Sequence, residues 1–258
     1  MVAEKVFING TIYTMDEGQF YAQALAVAGQ MLLCVGSNEA VLQCAGPQTE
    51  VVDLKGNTVL PGLIDSHVHT LIAADKFDTE FMVHCFDKTK EEIIEAVKAM
   101  AAKKKPGEWI QGLGWNQAGW ADTSMPTKEE LDVVSPCNPV VLLRVCGHAY
   151  WANSLALQLA EIDRHSTPPA GSEIMKDEAG EPTGYLTELA GQAVGACVPT
   201  LSEEDIARKF LIIQQYMLEN GVTSYSDKAL GVSSIAAEPP VRATMTALDW
   251  LYDEGKMK

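Results

Sequence analysis

Two histidines one residue apart, His67 and His69, have the types and spacing to do chemistry, and Asp65 precedes them at the same interval. Side chains alternate along a strand with a period of two, so Asp65, His67 and His69 share one face. Two imidazoles on one face reach a single cation together. Each offers a neutral ring nitrogen, at about 2.0–2.1 Å in the case of zinc. A strand holds such a pair more firmly than a loop does. Asp65 is placed to orient a ring by accepting its other N–H. Paired histidines also occur on ordinary strands, so context carries the weight. Here Leu63 and Ile64 make the strand start apolar, and Pro61-Gly62 sets it off from what precedes.

The elements that must position this pair are legible in outline. Lys5 to Ile8 and Thr11 to Thr14 read as strands about an Asn9-Gly10 turn. Ala24 to Val27 and Met31 to Val35 repeat that hairpin grammar, and Glu50 to Leu54 with Thr58 to Leu60 does so again across Gly56-Asn57. Short strands so regularly punctuated predict a small β-sandwich. Beyond the histidines the pattern mixes helix and strand. Lys90 to Lys105 has helical periodicity and stops at Pro106-Gly107. Trp109 to Leu113 and Val140 to Val145 read as strands, and Trp151 to Leu159 as a helix. Thr167 to Gly184, rich in Pro, Gly and Ser, reads as a surface loop. Ser202 with Asp205 forms a helix start of capping-box type, and Gly221 is a fitting stop. Val222 to Ser226 is a strand, Pro239-Pro240 breaks the chain, and Val241 to Tyr252 is an amphipathic helix.

Composition narrows the function classes. An apolar share of 47% over 258 residues is enough for a sizeable core, and the mean hydropathy is near zero. The net charge of -16 repels phosphate backbones, so nucleic acid is not an expected partner. No apolar run is long enough to span a bilayer, and the N-terminus lacks the pattern of a signal peptide, so membrane association is not expected and a cytoplasmic location is. The cysteines, Cys34, Cys44, Cys85, Cys137, Cys146 and Cys197, form no CxxC pair and read as reduced.

The string Val59-Leu60-Pro61-Gly62-Leu63-Ile64-Asp65-Ser66-His67-Val68-His69 resembles the signature that ends the first barrel strand of the amidohydrolase superfamily. Further pieces resemble its amidohydrolase 3 branch, the YtcJ-like proteins and N-substituted formamide deformylases. They are Gly112-Leu113-Gly114-Trp115-Asn116, Pro126-Thr127 with Leu131-Asp132, Arg144 through Ser154, Gly180 through Glu188, and Gly221-Val222-Thr223-Ser224. They fall in order along nearly the whole chain. Asn116 departs from the pattern, since the family more often has Asp there.

The resemblance implies an α/β fold: a partial (β/α)8 metal-dependent hydrolase barrel with a small N-terminal β-sandwich and an inserted α+β domain. Residues 1–61 would be the sandwich part, 62–72 the first barrel strand, 73–200 the insertion, and 201–258 the start of the barrel, where the chain is truncated. His67 and His69 would be ligands of a divalent metal, zinc first, with Glu188 as a further carboxylate ligand and Asp65 behind them. Trp115, His148 and Trp151 would contact substrate, and Trp120 would join Trp115 as an apolar pocket wall, with core packing the plainer reading of both Trp115 and Trp120. His84 and His165 match nothing and are expected at the surface. The implied activity is hydrolysis of carbon–nitrogen bonds in an amide-like small molecule by a metal-activated water. Two histidines fall short of the roughly three protein ligands a catalytic zinc takes, so the chain alone is expected to be inactive. The other reading is a non-catalytic binding or interaction module derived from an amidohydrolase.

Overall fold

The computed structural model describes residues 1–232, 234, 235 and 241–257. By compactness they divide into two units, Met1–Ile64 with Gly221–Ser224, and Asp65–Asn220 with Tyr225–Lys258.

The first unit carries β1 (Lys5–Ile8), β2 (Thr11–Tyr13), β3 (Tyr21–Ala22), β4 (Ala24–Ala28), β5 (Met31–Gly36), α1 (Asn38–Leu42), β6 (Glu50–Asp53) and β7 (Thr58–Val59). They form a four-stranded sheet, β5-β4-β1-β6, and a three-stranded one, β3-β2-β7. Val6, Ala24, Ala26 and Val41 are wholly buried, and these mostly small side chains let α1 lie close on the sheet. The β4–β5 hairpin forms as its turn predicts. The other two expected hairpins do not. β1 pairs in parallel with β6, and β2 in parallel with β7, so Asn9-Gly10 and Gly56-Asn57 are corners between sheets. Their backbone explains both the signal and the error. Asn9, Lys55 and Gly56 take positive φ (58°, 51° and 81°), which suits Asn and Gly in a corner as well as in a hairpin. Asn9 is tied instead to Asn38, whose Nδ2 donates to its Oδ1 at 2.9 Å.

The second unit opens with the end of β8 (Leu63–Val68) and continues with α2 (Thr70–Asp75), β9 (Met82–His84), α3 (Lys90–Ala101), β10 (Ile110–Trp115), α4 (Lys128–Asp132), β11 (Val140–Arg144), β12 (Ala149–Ala152), α5 (Ser154–Leu159), β13 (Ile174–Lys176), β14 (Pro182–Thr187), α6 (Glu188–Gly195), α7 (Glu203–Glu219), β15 (Val222–Asp227) and α8 (Val241–Asp253). A six-stranded mixed sheet runs β13-β14-β12-β11-β10-β9. β11 is buried on both faces: Val141 and Leu143 enter one apolar cluster, Val140 and Leu142 the other. Two sequence expectations are corrected here. Trp151 and Ala152 lie in β12, not in a helix, because an unbroken apolar run fits either a buried strand or a helix. The helix begins only at Ser154, after Asn153 accepts the Ala156 N–H at 3.0 Å. The stretch from Thr167 to Gly184 is not all loop. β13 and β14 pair across a turn in which Asp177 Oδ1 accepts the N–H groups of Ala179 and Glu181, both at 2.9 Å.

β8 pairs with β15 in a two-stranded sheet. Leu63 N–H donates to Gly221 at one end and Lys228 N–H to Val68 at the other, so the strands run parallel. The crossover between parallel strands includes α7, whose capping box forms as expected: Asp205 N–H donates to Ser202 Oγ at 3.1 Å, and Gly221 follows at φ 76°. Pro239-Pro240 lies outside the described residues. α2 and α8 both pack on α7. Between α2 and α7, Lys209 bonds to Asp75 and lies 3.6 Å from Asp78, while Arg208 Nη2 donates to Asp78 at 2.8 Å. Three of these side chains, Lys209, Asp75 and Asp78, are at least 95% buried.

Removing the buried Lys209 ammonium leaves the buried Asp75 carboxylate without its ion partner, while Asp78 keeps Arg208, so Lys209→Ala should cost about 3–5 kcal/mol in urea unfolding. A loss under about 1 kcal/mol would show that the cluster does not hold α2 to α7. Burial opposes ionisation of Asp78, but the Arg208 hydrogen bond and the charges of Lys209 and Arg208 outweigh it and hold the carboxyl below its ordinary value. That contribution is complete above the unfolded value of about 3.9 and disappears as pH falls through the folded one. Thermal melts of the wild type and Asp78→Asn should therefore converge in acid.

Candidate metal centre

β8 delivers His67 as its penultimate residue, and His69 follows in extended conformation (φ -121°, ψ 91°) as the residue that caps α2. The strand geometry brings the rings together: their centres are 5.2 Å apart with planes at 86°. A tetrahedral ion bonded to two imidazoles at about 2.0–2.1 Å places their centres about 5 Å apart, so the spacing suits one shared ion. His67 is exposed and His69 half-buried. The Nδ1 of His69 is enclosed and makes no hydrogen bond, which leaves a donor nitrogen free. Both facts fit a divalent cation. Asp65 is held differently from the sequence expectation. Its Oδ1 accepts the backbone N–H of His67 at 2.9 Å, fixing the strand rather than an imidazole ring. Among the described residues, no group of three or more His, Cys, Asp and Glu side chains gathers as a metal site.

Glu188, expected as a ligand beside the histidines, stands with His148 instead. β12 and β14 are paired with Ala149 opposite Thr187, which sets the residues just beyond that pair side by side. Glu188 N–H donates to the His148 carbonyl at 2.9 Å, and its carboxylate lies 3.3 Å from His148 Nδ1. Glu188 takes φ 50°, a conformation costing a β-carbon-bearing residue about 1–2 kcal/mol. Arg144, at the end of β11, donates from Nε to Gln117 at 2.9 Å and from Nη2 to Asn116 at 3.2 Å. Asn116 thus serves as an acceptor for Arg144 and a cap for the short turn after it.

Trp115 and Trp151 are not pocket walls. Both are wholly buried, with indole N–H groups donating at 2.8 Å to the carbonyls of Leu142 and Thr127. With Trp120 they form an edge-to-face and stacked aromatic cluster, which is core packing of the ordinary kind. His84 is not a surface residue either. It ends β9 opposite Leu113, half-buried, with Nε2 enclosed and unpartnered. His165 is exposed as expected.

The amidohydrolase family model matches residues 50–251. The chain belongs to the amidohydrolase family. It is 36% identical over 227 residues to the protein LONG AFTER FAR-RED 3 of Arabidopsis thaliana, covering 88% of this chain and 38% of that protein. It is 34% identical over 236 residues to the N-substituted formamide deformylase of Arthrobacter pascens, covering 89% and 43%. A solved structure of an uncharacterized metal-dependent hydrolase from Pyrococcus horikoshii matches at a TM-score of 0.69 and 28% identity, over 98% of this chain and 46% of that one. The chain spans less than half the length of each of these relatives.

A further residue, Asp227, stands beside the histidines without any mark in the local sequence. Asp227 ends β15, and its Oδ2 accepts the N–H of Thr70 at 3.2 Å and also bonds to the Thr70 hydroxyl, immediately after His69. The signal lies in strand pairing, since in a parallel pair of similar length the residue at the end of one strand lies beside the end of the other.

Cys146, beside Arg144, yields a direct test of the loop geometry. Desolvation raises its thiol pKa, but bonding to the Arg144 side chain and to the N–H groups of His148 and Ala149 prevails and lowers it. Alkylation by iodoacetamide, followed by peptide mass spectrometry, should reach half its maximal rate below the ordinary thiol value of about 8.5. Arg144→Ala should move that midpoint upward. An unmoved midpoint would show that the guanidinium does not reach the sulfur.

Proposed function

We propose that this chain contributes His67 and His69 as the first two ligands of a divalent-metal site in a hydrolase that cleaves carbon–nitrogen bonds of amide-like small molecules. The carrying observation is the facing pair of imidazoles, 5.2 Å apart, with one ring nitrogen enclosed and unpartnered. Zinc is the ion we name first, because neutral imidazole suits it. Bound there, it would supply Lewis acidity toward a carbonyl oxygen and an acidified water. The chain's own residues do the positioning. β8 sets the two rings on one face, and Asp65 fixes the strand through the His67 N–H.

The parallel pair β8 and β15, with α7 between them in sequence, supports reading this part as the opening of a (β/α)8 barrel, whose active sites lie at the C-terminal ends of the strands. His67 and His69 stand at such an end. His148, exposed and bonded to Glu188, is the polar side chain we assign to substrate contact. The amide class of substrate is supported by the deformylase relative and the family. A net charge of -16 supports a small-molecule substrate over nucleic acid. Since two imidazoles are fewer than the roughly three protein ligands of a catalytic zinc, the chain by itself should bind the ion and turn over amides slowly or not at all.

Equilibrium dialysis with Zn2+ tests the ligands. His67→Ala and His69→Ala should each weaken binding at least about tenfold. Equal binding by the wild type and both variants would refute the assignment, and rapid amide hydrolysis by the chain alone would refute the incomplete site. Folded protein with no affinity for Zn2+ would favour a non-catalytic binding module.

A further inference from the structure

Helix starts need acceptors for the N–H groups of the first turn, and Ser, Thr, Asp or Asn at the cap position normally provides one from its side chain. α2 is capped by His69, whose side chain makes no such bond. The acceptor comes from another strand. Asp227 Oδ2 takes the Thr70 N–H at 3.2 Å and the Thr70 hydroxyl, while Oδ1 takes the Ala229 N–H at 2.9 Å. Thr70 is wholly buried, so its polar groups have little recourse to water. Lys228 N–H donates to Val68 O at 3.0 Å, fixing the chain just after Asp227 against the residue between the two histidines. A carboxylate at a helix start is also favoured electrostatically.

We propose that Asp227 is the positioning residue of His69: it takes over the cap of α2 from the neighbouring strand, holds the His69–Thr70 peptide in place, and so frees the imidazole to meet a metal ion. This rests on His69 being a ligand. An Asp or Ser at position 69 would cap α2 by itself but supply no imidazole. A histidine there supplies the ring and needs the cap from elsewhere. The unpartnered Nδ1 of His69 accords with a side chain relieved of the capping duty.

The test uses the 258-residue chain with Co2+, read by its visible ligand-field spectrum and by competition with a chelator. The wild type should bind, and His67→Ala should lose the spectrum. Asp227→Ala should bind about 10- to 100-fold more weakly with a shifted spectrum. Asp227→Asn, which keeps one acceptor, should recover part of the loss. If circular dichroism shows Asp227→Ala unfolded, Thr70→Val replaces it, and should weaken Co2+ binding about threefold while leaving Asp227 in place. Wild-type affinity and spectrum in Asp227→Ala, or in Thr70→Val where that stands in, would overturn the proposal while the histidine assignment survives. Absence of Co2+ binding by the wild type would overturn both.

Discussion

The backbone hydrogen bond from Lys228 to Val68 ties β15 to β8 at the point where the histidines leave the strand. What bears on the metal centre follows from that parallel register. It fixes the residue between His67 and His69, it brings Asp227 to Thr70, and it sets the start of α2. A backbone so held fixes the positions from which the two rings, 5.2 Å apart, project.

The surrounding structure supports this point from behind. α7 follows the long mixed segment and leads into β15, and its capping box and Gly221 define where the strand starts. The buried ion cluster of Asp75, Asp78, Arg208 and Lys209 joins α2 to α7. α2 begins at His69, so the same helix that the ion cluster anchors at its far end is capped by Asp227 at its near end. Buried charge is a costly way to join helices, and it holds only while every member is paired.

Local chemistry was legible from the sequence wherever one segment suffices to specify it. The His-x-His face, the box of Ser202 and Asp205, the β4–β5 hairpin and the exposure of His165 all depend on neighbours a few residues away. Features set by distant partners were not legible. Asn9-Gly10 and Gly56-Asn57 carry the same turn chemistry in a corner as in a hairpin, and only the partners of β1 and β2 decide between them. Trp115 and Trp151 carry polar indoles that suit a pocket or a core, and the carbonyls of Leu142 and Thr127 make them core. Glu188 is drawn to His148 by the β12–β14 register, which no local pattern reveals. Asp227 reaches Thr70 through the β8–β15 pairing, which no local pattern reveals either.

Zinc-edge X-ray absorption on the metal-loaded chain bears most directly on the central claim. The account predicts two imidazole ligands at about 2.0–2.1 Å, with the multiple scattering of the rings lost in a His67→Ala, His69→Ala double variant. A spectrum with oxygen neighbours alone, or one unchanged in that variant, would contradict it.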